Sequence, residues 1–211
     1  AMRKATREAE QSLLHAISLA PKDPVSWEHL GWLYRQSGDF ARAVSSLQES
    51  LAIDGTKVRP RMMLANSLAD LGKADEAIAE YRRVLEQEPD HVRAHNNLAN
   101  LLTERGDLKS AADHYFRAAE RSEGLTHHIS AAHAARRIGD WATAEKLEHS
   151  LLHSLRANER PHDRTQPFPL LSTPSATAID QLHAARQMAK AYAGTEAVGH
   201  EPAPLLATQP R

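Results

Sequence analysis

Between residue 24 and the mid-150s, apolar and small residues recur at steps of three and four. Leu64, Ala65 and Leu68 are followed by Ala77 and Tyr81, and Leu98, Ala99 and Leu102 by Ala111, Tyr115 and Ala118. That step places them on one face of a helix, so the stretch predicts amphipathic helices throughout. The helical pattern is interrupted at Gly38, Gly72, Gly106 and Gly139, spaced 34, 34 and 33 apart, and each glycine opens a similar phrase: GDFARA, GKADEA, GDLKSA, GDWATA. An alanine follows five residues after each, as Ala43, Ala77, Ala111 and Ala144. A fixed period of this length marks a stacked repeat array, in which no unit buries its apolar face alone and stability comes from neighbours.

Within a unit the glycine is expected to end the first helix, because only glycine takes the left-handed backbone conformation there without steric penalty. The small residues Gly31, Ala65, Ala99 and Ala132 let paired helices approach closely. The units fall at 24–57, 58–91, 92–124 and 125–158, the last one degenerate with Ala131, Ala132, Ala135 and Trp141. Counting back one period, Ala9, Leu13, Ala16 and Pro21 fit a second helix, so residues 1–23 are expected to begin inside an earlier repeat. The first full unit holds W-x2-L-G-x2-Y as Trp27, Leu30, Gly31 and Tyr34, then Ala43, with Leu47 where an aromatic is usual. This resembles the tetratricopeptide repeat (TPR) family. The resemblance implies an all-α fold, a right-handed α-α superhelix whose first helices line a concave groove.

At the groove places implied by that resemblance stand Trp32, Arg59, Met63, Asn66, Arg93, Asn97, Asn100 and His133. Carboxamides carry both a donor and an acceptor, so they can pair with a peptide backbone whatever its side chains are. An extended protein or peptide ligand is the expected partner. The alternative, that Asn96, Asn97 and Asn100 are simply solvated, stays open at this point. So does a free-standing scaffold using Trp32, Met62 and Met63 as an apolar anchor for a partner helix. The clamp by which chaperone-tail TPRs hold a terminal carboxylate is not expected, since Glu28 and Trp32 occupy its places.

Composition narrows the picture further. Lys plus Arg is 26 against Asp plus Glu 27, leaving no basic excess for nucleic acid. No apolar run is long enough for a transmembrane helix, and RKATREAEQ after Met2 lacks the core of a signal peptide, so a cytoplasmic chain is the default. With no cysteine there are neither disulfides nor thiolate metal sites. His91 with His95, and His149 with His153, stand four apart, but neither pair has the H-E-x-x-H form, and no metal or cofactor is expected. Phosphate-cradling glycine loops and G-x-S-x-G are lacking too, so this chain alone is not expected to be an enzyme.

The C-terminal quarter changes character. Prolines at 161, 167, 169 and 174 predict an extended linker over 159–177, with Phe168, Leu170 and Leu171 docked on the last repeat. Thr177 and Asp180 form a capping box for a capping helix over 178–193, and 194–211 is expected to be a flexible tail. GDW, LEHSLLHSL, PFPLLS and QLHAAR in succession look like the junction in O-GlcNAc transferase and SPINDLY-type glycosyltransferases. That resemblance implies a catalytic domain beyond Arg211, transferring sugar from a nucleotide sugar to Ser or Thr of an acceptor held in the groove. At the place where the animal enzymes carry an asparagine in each repeat only Asn97 fits, the others being His29, Met63 and Ser130. Open solenoid ends add the expectation of self-association.

Overall fold

The computed structural model describes residues 2–122 and 125–156. Over these the chain forms α1 (Met2–Leu19), α2 (Pro24–Gln36), α3 (Phe40–Ile53), α4 (Val58–Asp70), α5 (Ala74–Gln87), α6 (Val92–Glu104), α7 (Leu108–Arg121), α8 (Leu125–Arg137) and α9 (Trp141–Arg156). The docked linker at Phe168, Leu170 and Leu171, the capping box at Thr177 and Asp180, the helix over 178–193 and the tail lie outside the described residues. Among the described residues no helix is long and apolar enough to cross a membrane.

Each turn between paired helices is built the same way. Gly38, Gly72, Gly106 and Gly139 have φ of 78°, 74°, 82° and 81°, the left-handed conformation that the sequence pattern called for. The following residue then donates its N–H five residues back, Asp39 to Tyr34, Lys73 to Leu68, Asp107 to Leu102 and Asp140 to Ala135, each at 2.9 Å. These are Schellman closures, which satisfy carbonyls that a helix end otherwise leaves bare. Where aspartate follows the glycine it also caps the next helix: Asp39 accepts from Arg42 N at 3.1 Å, Asp107 from Ser110 N at 3.2 Å and Asp140 from Thr143 N at 3.1 Å. Hydrogen bonds hold all three carboxyls below the ordinary carboxylate range, led by the Arg42 backbone at Asp39 and by the Ser110 and Thr143 side chains at Asp107 and Asp140. Lys73 fills the same place before α5 and caps nothing with its side chain.

Helices pack mainly on their neighbours in sequence, tightly within a pair and more loosely between pairs, which is the one-dimensional order of a solenoid. The core is continuous from Val44 on α3 to Ala134 on α8, with Leu47, Leu68, Tyr81, Val84 and Leu98 among its fully buried side chains. Ala65, Ala99 and Ala132 are buried at the helix crossings, and at Gly31 an added Cβ would stand 2.6 Å from Leu47 Cγ. A smaller cluster of Ile17, Leu30, Tyr34 and Ala43 seats α1, where the Tyr34 hydroxyl and Arg42 Nη1 both donate to Glu10 Oε1 at 2.8 Å.

Candidate ligand groove

Because α2, α4 and α6 repeat the same geometry, their like-numbered side chains fall along one concave face. Trp32, Arg59, Met63, Asn66, Arg93 and Asn97 all line a single cleft of about 580 Å³, together with Met62, Val58 and His91. Asn100 lies in an adjoining cleft with Asn66, Asn97, Asp70 and Arg35. His133 is separate, in a recess with Thr103, Tyr115, Ser130 and Arg137 between the third and fourth helix pairs.

The floor of the groove is a hydrogen-bonded chain. The Tyr81 hydroxyl donates to Asn66 Oδ1 at 2.6 Å, and Asn97 Nδ2 donates to the same oxygen at 2.9 Å. Asn66 Oδ1 is thereby saturated, while Asn66 Nδ2 and Asn97 Oδ1, on two residues that line the cleft, make no hydrogen bond among the described residues. Tyr115 repeats the device one period later, donating to Asn100 Oδ1 at 2.6 Å. Tyr81 is only 2 % exposed, and burial raises its pKa, so the hydroxyl stays a donor. Asn66 and Asn100 are thus anchored from beneath rather than merely solvated, and Asn97 is anchored sideways.

The device changes at both ends of the array. One period before Asn66 and Tyr81 stand Trp32 and Leu47, and the groove there turns apolar. Trp32 is 47 % exposed and separates the main cleft from a second, about 520 Å³, formed with Leu13, Leu33 and Ala9 against α1. In the fourth pair the corresponding residues are His133 and Glu148. Glu148 is 3 % exposed and ion-paired with Arg136; burial, then Arg136, lowers the His133 pKa, with Glu148 opposing.

Charges along the groove are mostly spoken for. Arg35 pairs with Asp70 at 3.0 Å across from α2 to α4, and Arg59 with Glu28 at 3.1 Å. Glu28 therefore compensates a neighbouring arginine, beyond the repulsive role its sequence position suggests. Arg93, exposed on α6, makes no ion pair among the described residues.

His91 and His95, four residues apart, take different partners. His91 Nδ1 accepts from Ala94 N at 3.1 Å as the cap of α6, so this nitrogen is engaged by its own backbone. His95 instead pairs with His114 of α7, with Nδ1 atoms 2.9 Å apart. No group of three or more His, Asp, Glu or Cys suited to a metal occurs among the described residues. The side chain of His153 lies outside them. The Tyr–Asn device had a sequence signal: Asn66 and Asn100, Tyr81 and Tyr115 each recur one period apart, always fifteen residues from asparagine to tyrosine.

Residues 26–58 and 62–125 match family profiles described as tetratricopeptide repeat. Among curated relatives, a TPR repeat-containing thioredoxin of Arabidopsis thaliana is 28 % identical over 119 residues, covering 53 % of this chain and 17 % of the relative. A peroxisomal targeting signal receptor of Eremothecium gossypii is 32 % identical over 114 residues, covering 54 % of this chain and 20 % of the receptor. The chain thus spans a fifth or less of these relatives' length. Among solved structures, MamA superposes with a TM-score of 0.68 at 17 % identity, covering 75 % of this chain and 94 % of that one.

Proposed function

We propose, from the premise that this chain carries tetratricopeptide repeats across residues 26–58 and 62–125, that it is a protein-interaction module whose groove takes an extended peptide by its backbone. One observation carries the reading: Asn66 Oδ1 is satisfied twice from within, which leaves Asn66 Nδ2 to donate and Asn97 Oδ1 to accept, on two residues that line the cleft. A peptide unit offers the complementary carbonyl and N–H. Anchoring by Tyr81 means little side-chain freedom is lost when the ligand arrives, which favours affinity. Beside that pair, Trp32, Met62 and Met63 offer an apolar seat for one ligand side chain. Selection from a random displayed peptide library, followed by affinity measurement, tests this. Asn97→Ala and Trp32→Ala should each weaken a selected peptide about tenfold or more, with helix content unchanged. Wild-type affinity in both variants would remove the groove from consideration.

The narrower role of acceptor-recognition arm in a protein glycosyltransferase rests on PFPLLS at 167–172 and QLHAAR at 181–186. If the native reading frame continues past Arg211 into an α/β catalytic domain, that role gains its chemistry. A stop codon there leaves the free-standing scaffold, with its apolar anchor at Trp32, Met62 and Met63.

A further inference from the structure

In the fourth helix pair the sign of the charge changes. Two residues before each turn glycine stand Gln36, Asp70, Glu104 and Arg137, so a cation takes the place that acids hold in the two preceding units. Arg137 is exposed on α8 and lines a recess of about 220 Å³ together with Thr103, Tyr115, Ser130 and His133. Asp70 pairs with Arg35, but the Arg137 guanidinium makes no ion pair among the described residues, with Glu104 or any other acid. The Thr103 and Ser130 hydroxyls likewise make no hydrogen bond among them.

Among the described residues no carboxylate lines this recess. The neighbouring clefts differ, since Glu88 stands in the wall of one and Asp70 in that of the other. Glu148, the acid that acts on His133, is 3 % exposed and ion-paired with Arg136, so its charge is already compensated. A guanidinium and two hydroxyls are donors of the kind an oxyanion takes, and the guanidinium adds the charge. The recess also adjoins the groove floor, because Tyr115 lines it and donates to Asn100 Oδ1 at 2.6 Å.

We propose that the recess is an anion subsite at one end of the groove, taking an oxyanionic side chain, carboxylate or phosphate monoester, of the bound peptide. The peptide as carrier rests on the groove reading above; the preference for an anion rests on the recess alone. Arg137 supplies the charge, and Thr103 and Ser130 orient the oxygens. Burial and Arg136 lower the His133 pKa, and negative charge placed in the recess raises it again.

Inorganic phosphate titrated into the full chain at constant ionic strength tests the subsite without a peptide. Amide resonances of Thr103, Ser130 and Arg137 should shift together and saturate, and the His133 ring should titrate at higher pH once phosphate is bound. Arg137→Gln removes the charge from an exposed side chain and should weaken phosphate about tenfold. Shifts that never saturate, or equal affinity in that variant, overturn the subsite. Should Arg137→Gln lose helix content, Ser130→Ala takes its place with an expected loss of about threefold or more, and unchanged affinity there overturns the subsite too. Library-selected peptides then identify the anion. One peptide position should favour Asp or Glu on the wild-type chain and lose that preference on Arg137→Gln; equal residue frequencies on both proteins overturn the ligand assignment. Phosphoserine at that position binding more tightly than glutamate assigns the phosphate monoester, and the reverse order assigns the carboxylate. Asn97→Ala separates the two readings, since unchanged affinity for the acidic peptide would remove backbone recognition and leave the anion subsite standing.

Discussion

Gly31→Ala sets two well-understood effects against each other. Gly31 lies inside α2, where alanine is the better helix former by about 1 kcal/mol. Yet the new Cβ would stand 2.6 Å from Leu47 Cγ, 2.8 Å from Leu47 Cδ2 and 3.4 Å from the Ala43 carbonyl. Real Cβ contacts do not fall below about 3 Å, and Leu47 is 0 % exposed, so its branch point cannot swing into solvent. Either α2 and α3 separate or Leu47 leaves its rotamer, a cost of about 1–3 kcal/mol. The clash exceeds the propensity gain, and the variant should be less stable by roughly 1 kcal/mol, lowering the thermal midpoint by about 2–4 °C for a chain of this size. Aligned pairs in the next two repeats are Ala65 with Tyr81 and Ala99 with Tyr115. A flat ring at Cγ tolerates the alanine that a branched leucine does not. Gly31→Ala combined with Leu47→Tyr should therefore recover stability relative to the sum of the single changes, a coupling of about 1 kcal/mol. Thermal and urea melts followed by circular dichroism measure all four corners of the cycle. A raised midpoint for Gly31→Ala alone would refute the reasoning, showing that Leu47 repacks freely.

Other expectations follow from the same interactions. Lys73→Ser supplies the missing cap of α5 and a capping box with Glu76, so it should stabilise by about 0.5–1 kcal/mol despite losing an exposed ion pair, read as a higher urea midpoint. Asn66→Ala strands the buried Tyr81 hydroxyl and should cost about 1–3 kcal/mol, whereas Asn97→Ala leaves that bond intact and should cost less; a melt of each ranks them. Acid should weaken the fold through His114, whose pKa of about 4 lies below its ordinary 6.5. The unfolded chain therefore binds the proton first, and this stability is full above 6.5 and is lost as pH falls toward 4. Allowing for screening at a half-buried ring, the loss is on the order of 2 kcal/mol, measurable as urea midpoints across that window.

The helical period and its punctuation were legible because each depends on a few adjacent residues. A glycine that must adopt positive φ, followed by an aspartate that can cap, announces both the end of one helix and the start of the next. The groove's polar floor was harder to see. Asn66, Tyr81 and Asn97 belong to three helices, and no local pattern says that a hydroxyl on α5 will claim an asparagine oxygen on α4. The His95–His114 pair was hidden for a related reason, because its rings come from two helices, while His91, four residues before His95, is the residue that caps α6. Glu148 was hidden inside LEHSLLHSL; aligning it one period beyond Tyr115 shows that a charged group has entered a core position. It is compensated by Arg136, which sequence spacing alone does not single out.

Backbone recognition by Asn97 is tested most directly by N-methylating each peptide unit of a library-selected ligand in turn. Methylation removes one N–H donor and leaves the side chains as they were. At one position it should weaken binding to the wild-type chain by about tenfold, the worth of one buried hydrogen bond with its unsatisfied acceptor. The same change should cost Asn97→Ala almost nothing, because the accepting oxygen is already gone. Equal losses in both proteins at every position, or no sensitive position at all, would contradict a groove that holds its ligand by the peptide backbone.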